Sequence, residues 1–150
     1  MQLRDLIKRY LKEARMMQIA TSKNDQPWAC TVYYAFDDTL SIYWISKPST
    51  RHSIEINNNE KVAGVIVLPH KPNDKIRGIH FQGVARELVS KKEIAAALIH
   101  YVKRYGLKPA RVKEIIAKKE GHLCYKIKPS LFVLFDQQNF PDNPRQEYKL

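Results

Sequence analysis

The feature that most limits the possible folds is a set of three strand-like segments joined by very short connections. Apolar, β-branched and aromatic residues fill positions 16–22, 28–36 and 40–46. The connecting stretches KNDQP and DD have turn-forming composition and leave no room for a helix. Because parallel neighbours need a crossover of a dozen or more residues, these segments are expected to pair antiparallel. The sequence therefore predicts an antiparallel meander near the N-terminus.

Helical patterns flank and interrupt the strand-like segments. Residues 1–15 form one amphipathic pattern, a short helix is expected after Ser49 or Thr50, and residues 91–119 read as two helices broken at YGLKP. Further strand-like runs are KVAGVIVLP, RGIHFQGVARELV, HLCYKIKP and SLFVLFDQ. This order predicts a mainly β fold with α-helices, a small antiparallel barrel of six to seven strands with helices packed outside.

The length of 150 residues favours one domain, 1–150. Within it we expect an N-terminal helix (1–15), a basic helical insertion (91–119) and a C-terminal tail (136–150). The tail contains few apolar residues, so it is not expected to pack on its own.

Cysteine usage and the N-terminus predict a cytoplasmic protein without a membrane partner. Cys30 and Cys124 lie in separate strand-like runs without metal-ligand spacing, which favours free thiols in a reducing compartment. No apolar stretch is long enough to span a bilayer, and the charged N-terminus is unlike a secretory signal. The histidines show no metal-binding spacing, so no metal site is predicted.

The formal net charge of +11 raises the question of a nucleic-acid partner. Residues 91–119 hold nine Lys or Arg against two acids, which is the main excess in the chain. Lysines on the polar face of two amphipathic helices account for this excess, and a phosphate-backbone contact surface is the alternative. No nucleic-acid recognition motif is present, so a nucleic-acid partner is not favoured.

The stretch STRHSIEINNN, residues 49–59, combines a helix start with two side chains that a helix start does not require. Ser49 or Thr50 can cap the short helix, but Arg51 and His52 are not needed for capping or packing. One interpretation is a solvated loop with an incidental cation. The other is a phosphate site, in which helix N-terminal amides, a hydroxyl and a guanidinium converge on one dianion.

These segments resemble a known family. WACTVYYAFD, IYWISKPSTRH and RGIHFQGVAR are similar to the FMN-binding split barrels of the pyridoxamine 5′-phosphate oxidase superfamily, and in particular to its YhbP-like branch. The resemblance covers approximately residues 10–135. It implies that Thr50, Arg51 and His52 bind the FMN phosphate, with histidine at a position where lysine is usual.

The same resemblance implies a homodimer with FMN at the two-fold interface and assigns residues to the flavin ring. The ring would lie along two strands, against Cys30, Thr31, Val32, Trp44, Ile45 and Ser46. Gln82 resembles a family position that faces the flavin, although an outward polar residue on an alternating strand is an equally good interpretation. The strand aromatics are expected in the core or in a subunit contact.

Three functions remain open from the sequence. The first is an FMN-dependent oxidoreductase or flavin reductase of unknown substrate, with no catalytic residue identified. The second is a split barrel that binds haem or a deazaflavin, or that serves as a cofactor-free binding module, and the third is a basic nucleic-acid-binding protein. Oxidation of vitamin B6 is not expected because the family's C-terminal Arg-x-His element is missing, and Arg145 is the only arginine there.

Overall fold

The computed structural model describes residues 1–150 and contains four helices and eight strands in one sheet. In chain order the bounds of the helices and strands are α1 Leu3–Glu13, β1 Met16–Lys23, β2 Gln26–Tyr33, β3 Ala35–Phe36, β4 Ile42–Ser46, α2 Arg51–Asn58, β5 Lys61–Val67, β6 Arg77–Glu87, α3 Lys91–Tyr105, α4 Pro109–Ile116, β7 Leu123–Asp136 and β8 Arg145–Lys149.

The sheet is antiparallel throughout and curls into a half-barrel. Its strand order is β2-β1-β5-β6-β7-β4-β3, with β8 paired to β7 beside this path. One face of the sheet points inward onto the main core, together with α1 and Ile56 of α2. On β5 every second residue is buried, which is the alternation expected of a strand with one buried face. The predicted antiparallel barrel with peripheral helices is confirmed.

The segment predicted as one strand over residues 28–36 is two strands, β2 and β3, interrupted at Tyr34. The Tyr34 side chain is fully buried, and its hydroxyl donates to the carbonyl oxygen of Leu11 at 2.7 Å. This anchor on the C-terminal turn of α1 breaks the strand. As a result β2 pairs with β1 at one end of the strand order, while β3 pairs with β4 at the other end.

Two further strand predictions were wrong in their boundaries. HLCYKIKP and SLFVLFDQ form the single strand β7, which continues through Pro129 where the register with β6 shifts between Gln82 and Gly83. A Cβ atom at Gly83 would overlap the carbonyl oxygen of Lys128, so glycine permits this close approach of the two strands.

The C-terminal tail is also more ordered than its composition predicts. Residues 145–149 form β8, which pairs with β7, and Tyr148 packs against the main core. The prediction failed because backbone hydrogen bonds to a neighbouring strand do not depend on the apolar content of the added strand.

The four predicted helices are present, and α3 and α4 cover the outer side of β3 and β4 through a second hydrophobic cluster. The break between them follows from Gly106 in the left-handed conformation and from Pro109 in the first turn of α4. Arg104 does not join the solvated basic face, because its guanidinium donates to the carbonyl oxygens of Leu11 and Ala14.

Both cysteines are free; Cys124 is buried and Cys30 is half-buried. No helix has the length and apolar character that crossing a membrane requires.

Candidate functional site

Strands β2 and β4 meet without forming a ladder, and we call the place where they meet the split. Strand β2 pairs only with β1, and residues 44–46 of β4 pair only with β7. The two strands nevertheless contact each other. Each therefore turns a strand edge without a ladder partner toward the split. Free backbone amides along a strand edge are fixed donors and acceptors for a planar ligand.

Helix α2 begins immediately after β4, at one end of the split. Thr50 is its N-cap, and the Thr50 hydroxyl accepts a hydrogen bond from the Ser53 amide at 3.4 Å. The amides of Arg51 and His52 occupy the first two helical positions, which have no intrahelical acceptor. These amides and the positive end of the helix dipole favour an anion at this position.

The Arg51 guanidinium lies between α2 and β2. Its carbon atom is 4.2 Å from the centroid of the Trp28 ring, and its Nε donates to Oε2 of Glu55 at 2.7 Å. No hydrogen bond uses its two terminal amino groups, and 47% of the side chain remains exposed. Arg51 lines a depression of about 450 Å³ together with Lys23 and Ser49. Glu55 and Trp28 therefore fix the guanidinium, while its two terminal amino groups, which we call the terminal fork, are free to bind an anion.

Glu55 explains why Arg51 is held in this orientation. Glu55 is 3% exposed, and its carboxylate also lies 3.4 Å from the Thr21 hydroxyl. Arg51 is the cation in its only salt bridge. Since a buried carboxylate is costly without a charged partner, Arg51 contributes to the folded state as well as to any ligand site.

His52 occupies a different environment from the one expected. The residue is 8% exposed, and its Nε2 lies 2.7 Å from Oγ of Ser46 and 3.2 Å from Oγ1 of Thr50. Burial lowers the pKa of the His52 imidazole, while the nearby Glu55 carboxylate acts in the opposite direction. The predicted extra phosphate donor is therefore a buried imidazole whose Nε2 already has two hydroxyl partners.

Four other predicted residues share the inner face of the sheet. Cys30 and Val32 of β2 pack partly against the main core, and Trp44 and Ser46 of β4 are buried. The Trp44 ring stacks on Tyr125 at a centroid distance of 5.1 Å, so its side chain belongs to the core. Only backbone groups of residues 44–46 can reach a ligand in the split.

The remaining predicted residues do not join this inner face. The Thr31 side chain is exposed, and Ile45 packs against the cluster beneath α3. Gln82 is exposed on the outer face of β6, whereas its neighbour Phe81 is buried. The structure therefore brings Thr50, Arg51 and His52 together with β2 and β4, but it separates Gln82 from them.

Sequence reasoning missed the partners of Arg51. The i,i+4 spacing of Arg51 and Glu55 on one helix is a signal that could have indicated their ion pair. The contact of Arg51 with Trp28 joins residues far apart in the chain, and no local pattern indicates it.

Comparison with known proteins agrees with this architecture. The family model described as pyridoxamine 5′-phosphate oxidase matches residues 3–129. The chain belongs to this family. A UPF0306 protein of Pasteurella multocida is 33% identical over 82 residues, a match that covers 54% of this chain and 55% of that protein. The match thus spans about half the length of that relative.

Solved structures of other proteins show the same fold at low sequence identity. A conserved hypothetical protein from Mycobacterium tuberculosis superposes with a TM-score of 0.77 at 19% identity, covering 94% of this chain and 88% of that one. The heme storage protein HutZ from Vibrio cholerae superposes with a TM-score of 0.69 at 15% identity, covering 86% and 91%. These similarities establish the split-barrel fold of the family member.

The lowered pKa of His52 predicts a pH-dependent stability. Because the unfolded chain takes up this proton more readily, the free energy of unfolding should fall as the pH drops from about 8 through the ordinary histidine value near 6.5. The contribution of His52 to the free energy of unfolding is retained above the ordinary histidine pKa and is lost as the pH falls to the lowered pKa. Urea unfolding at several pH values measures this slope, which His52→Gln should reduce.

His80→Gln is the matched control, since His80 is an exposed strand histidine. It should keep the pH slope of the parent. Equal slopes in the two variants would show that the buried imidazole of His52 does not cause the pH dependence.

Proposed function

We propose that residues 1–150 form one FMN-binding domain of a small flavin-dependent oxidoreductase or flavin reductase. The observation that carries this proposal is the free terminal fork of Arg51 at the start of α2, directly beside the split. A bidentate guanidinium together with first-turn amides suits a phosphate dianion. Lys23, on the same depression, adds a second positive charge.

The flavin ring would lie in the split, along the backbone of β2 and of residues 44–46. Cys30 and Val32 would border the ring from the inner face, and Thr31, Ile45 and Ser46 would contribute backbone groups. FMN supplies hydride or electron transfer chemistry when it is bound, and the protein supplies its position and electrostatic surroundings. The chain's own contribution is therefore to hold the phosphate and to orient the ring.

We do not extend the proposal to pyridoxamine 5′-phosphate as substrate. Arg145, the one arginine of the C-terminal segment, forms a salt bridge with Glu147 at 2.6 Å on β8. Its positive charge is already partnered, and no histidine occurs in β8. The substrate class therefore remains open within flavin chemistry.

Haem is the competing cofactor, since HutZ and a Mycobacterium smegmatis neighbour are described as heme storage and heme-binding proteins. Haem in proteins is held by an axial side chain such as histidine, cysteine, methionine or tyrosine. The histidine nearest the split, His52, is buried and has hydroxyl partners at Nε2. The free amino groups of Arg51 could bind a haem propionate as well as a phosphate. The preference for flavin therefore rests on the buried state of His52 and on the first-turn amides of α2, which suit a phosphate dianion.

We also propose a homodimer that uses the outer face of the sheet. Five large apolar side chains are exposed there, namely Met16, Tyr33, Val65, Val67 and Val84. Met16 and Tyr33 are direct cross-strand partners, and Val65 lies opposite Gln18 on the adjacent strand. An exposed apolar group of this kind is typical of an interface between subunits.

Light scattering at micromolar concentration is expected to give the mass of a dimer, and Val67→Glu should produce the monomer by placing a charge in the contact. Val89→Glu is the matched control, because Val89 is 66% exposed and Val67 is 59% exposed. Val89 lies just before α3, away from the proposed face, and its variant should remain dimeric. A monomeric parent protein would contradict the proposal.

The phosphate site is tested by FMN titration with variants that keep the charge balance of the buried carboxylate. Arg51→Ala combined with Glu55→Gln removes the guanidinium without leaving an uncompensated charge. We expect a loss of about 2–4 kcal/mol in binding, roughly thirtyfold to a thousandfold in affinity. Arg51→Lys should lie between this variant and the parent, because it keeps the charge but loses the fork.

Glu55→Gln alone is the control and should bind FMN within several-fold of the parent, since it retains Arg51. Urea unfolding of each variant shows that the protein remains folded. If the double variant binds FMN as tightly as the Glu55→Gln control, the start of α2 is not the phosphate site.

A further inference from the structure

The depression beside the terminal fork of Arg51 is larger than a phosphate group requires. Its volume is about 450 Å³, whereas a phosphate takes the space of only a few water molecules, each about 30 Å³ in the liquid. A site that accepts a phosphate monoester alone would close around the phosphate. Here most of the volume is left for a further part of the ligand.

The remaining volume lies on the side of Arg51 that faces away from the flavin ring. Arg51 stacks on Trp28, and the proposed ring position is along residues 30–32 of the same strand. The depression continues past Trp28 in the opposite direction, to Gln26 and to Lys23, which is the partner of Gln26 on β1. Gln26 is at least four residues from the ring position, roughly 13 Å along an extended strand. A ligand that continues beyond its first phosphate would therefore enter this depression.

The lining of the depression contains one positive charge without a protein partner. Lys23 forms no salt bridge, whereas Arg51 and Glu55 form one with each other. Asp25, the acid of the turn between β1 and β2, lines an adjoining depression that shares Lys23 and Asn24 with this one. The Lys23 ammonium group is thus available to a second phosphate beside the fork.

Two further side chains of the depression suit a nucleoside. Ile54 lies about one turn after Arg51 on α2, and it is 44% exposed. A planar base can bury part of its apolar surface on this side chain. Asn24 offers an amide with both donors and an acceptor, which matches the hydroxyl groups of a ribose.

We propose that this depression, which we call the adenylate subsite and define by Lys23, Asn24, Gln26 and Ile54, holds the adenylate half of flavin adenine dinucleotide (FAD). The inference rests on the flavin-binding function proposed above and extends it from FMN to the dinucleotide. The first phosphate binds the Arg51 fork as it does in FMN, and the second lies near Lys23. The base packs on Ile54 and the ribose bonds to Asn24. Both flavins fit the chain, and FAD gains the additional contacts.

The adenylate subsite stays open in the proposed homodimer. Lys23 lies on the same face of β1 as the buried Thr21, which is the inner face of the sheet. Gln26 is the cross-strand partner of Lys23 and shares this face. The side chains of the proposed subunit contact, such as Met16 and Val67, are on the outer face. A second subunit bound there leaves the adenylate subsite accessible.

Calorimetric titration of the flavin-free full chain with FMN and with FAD tests the inference. FAD should bind at least about fivefold more tightly than FMN, because an apolar contact and hydrogen bonds are added. Ile54→Ser combined with Asn24→Gly removes these contacts, and this variant should bind the two flavins equally while its affinity for FMN stays that of the parent. Glycine is tolerated at residue 24, where φ is 51°.

Ile99→Ser is the matched control, since Ile99 is also an exposed isoleucine on a helix, 53% exposed against 44% for Ile54. It lies on α3 and should keep the preference for FAD. Urea unfolding shows that both variants are folded.

The outcomes separate this inference from the function on which it rests. A parent chain that binds FMN but has a smaller preference for FAD than fivefold would overturn the adenylate subsite and leave FMN binding intact. Retention of the preference in the double variant, or its loss in the Ile99→Ser control, would also overturn the subsite. If neither flavin binds, the proposed function is wrong, and the adenylate subsite fails with it.

Discussion

The buried anchor of Tyr34 is the constraint on which the candidate site depends. Its hydroxyl donates to carbonyl oxygens at the C-terminal end of α1, and the Arg104 guanidinium lies 4.8 Å from its ring centroid. Tyr101 lies one turn before Arg104 on α3, and its hydroxyl donates to the Tyr33 carbonyl oxygen at 2.8 Å. These contacts hold the chain where β2 ends and β3 begins. Because the break is fixed, β2 and β4 keep unpaired edges and the barrel stays split.

Arg51 connects the candidate site to the folded core, because the same guanidinium lies beside the split and neutralises a buried carboxylate. The buried Glu55 carboxylate needs a cation, and Arg51 meets that need with Nε alone. A lysine could neutralise Glu55 but would not retain a planar fork for a second anion. The Trp28 ring further limits the guanidinium to one plane. One side chain thus stabilises the fold and keeps two terminal amino groups of its guanidinium free and oriented.

The sequence was sufficient for features that depend on local chemistry. The short connections after residues 22 and 36 predicted antiparallel pairing. Ser49 or Thr50 was the predicted cap of α2, and Thr50 is the observed one. Gly106 and Pro109 marked the break between α3 and α4. It was not sufficient for features that depend on distant partners. The break at Tyr34 requires α1, the pairing of β8 requires β7, and the inward turn of His52 requires Ser46. The alternating pattern of β6 does not by itself show which face Gln82 occupies. The neighbouring Phe81 is in the core, and since adjacent strand residues point to opposite faces, Gln82 lies on the outer face.

We propose that this family member holds a flavin by its phosphate at the start of α2 and by its ring in the split. The most direct measurement is the absorbance spectrum of the purified full chain, before and after denaturation releases its small-molecule content. We expect a yellow protein that releases FMN, or an unloaded protein that acquires the flavin spectrum when FMN is added. A red protein with a haem spectrum, or a chain that stays colourless with excess FMN, would contradict it.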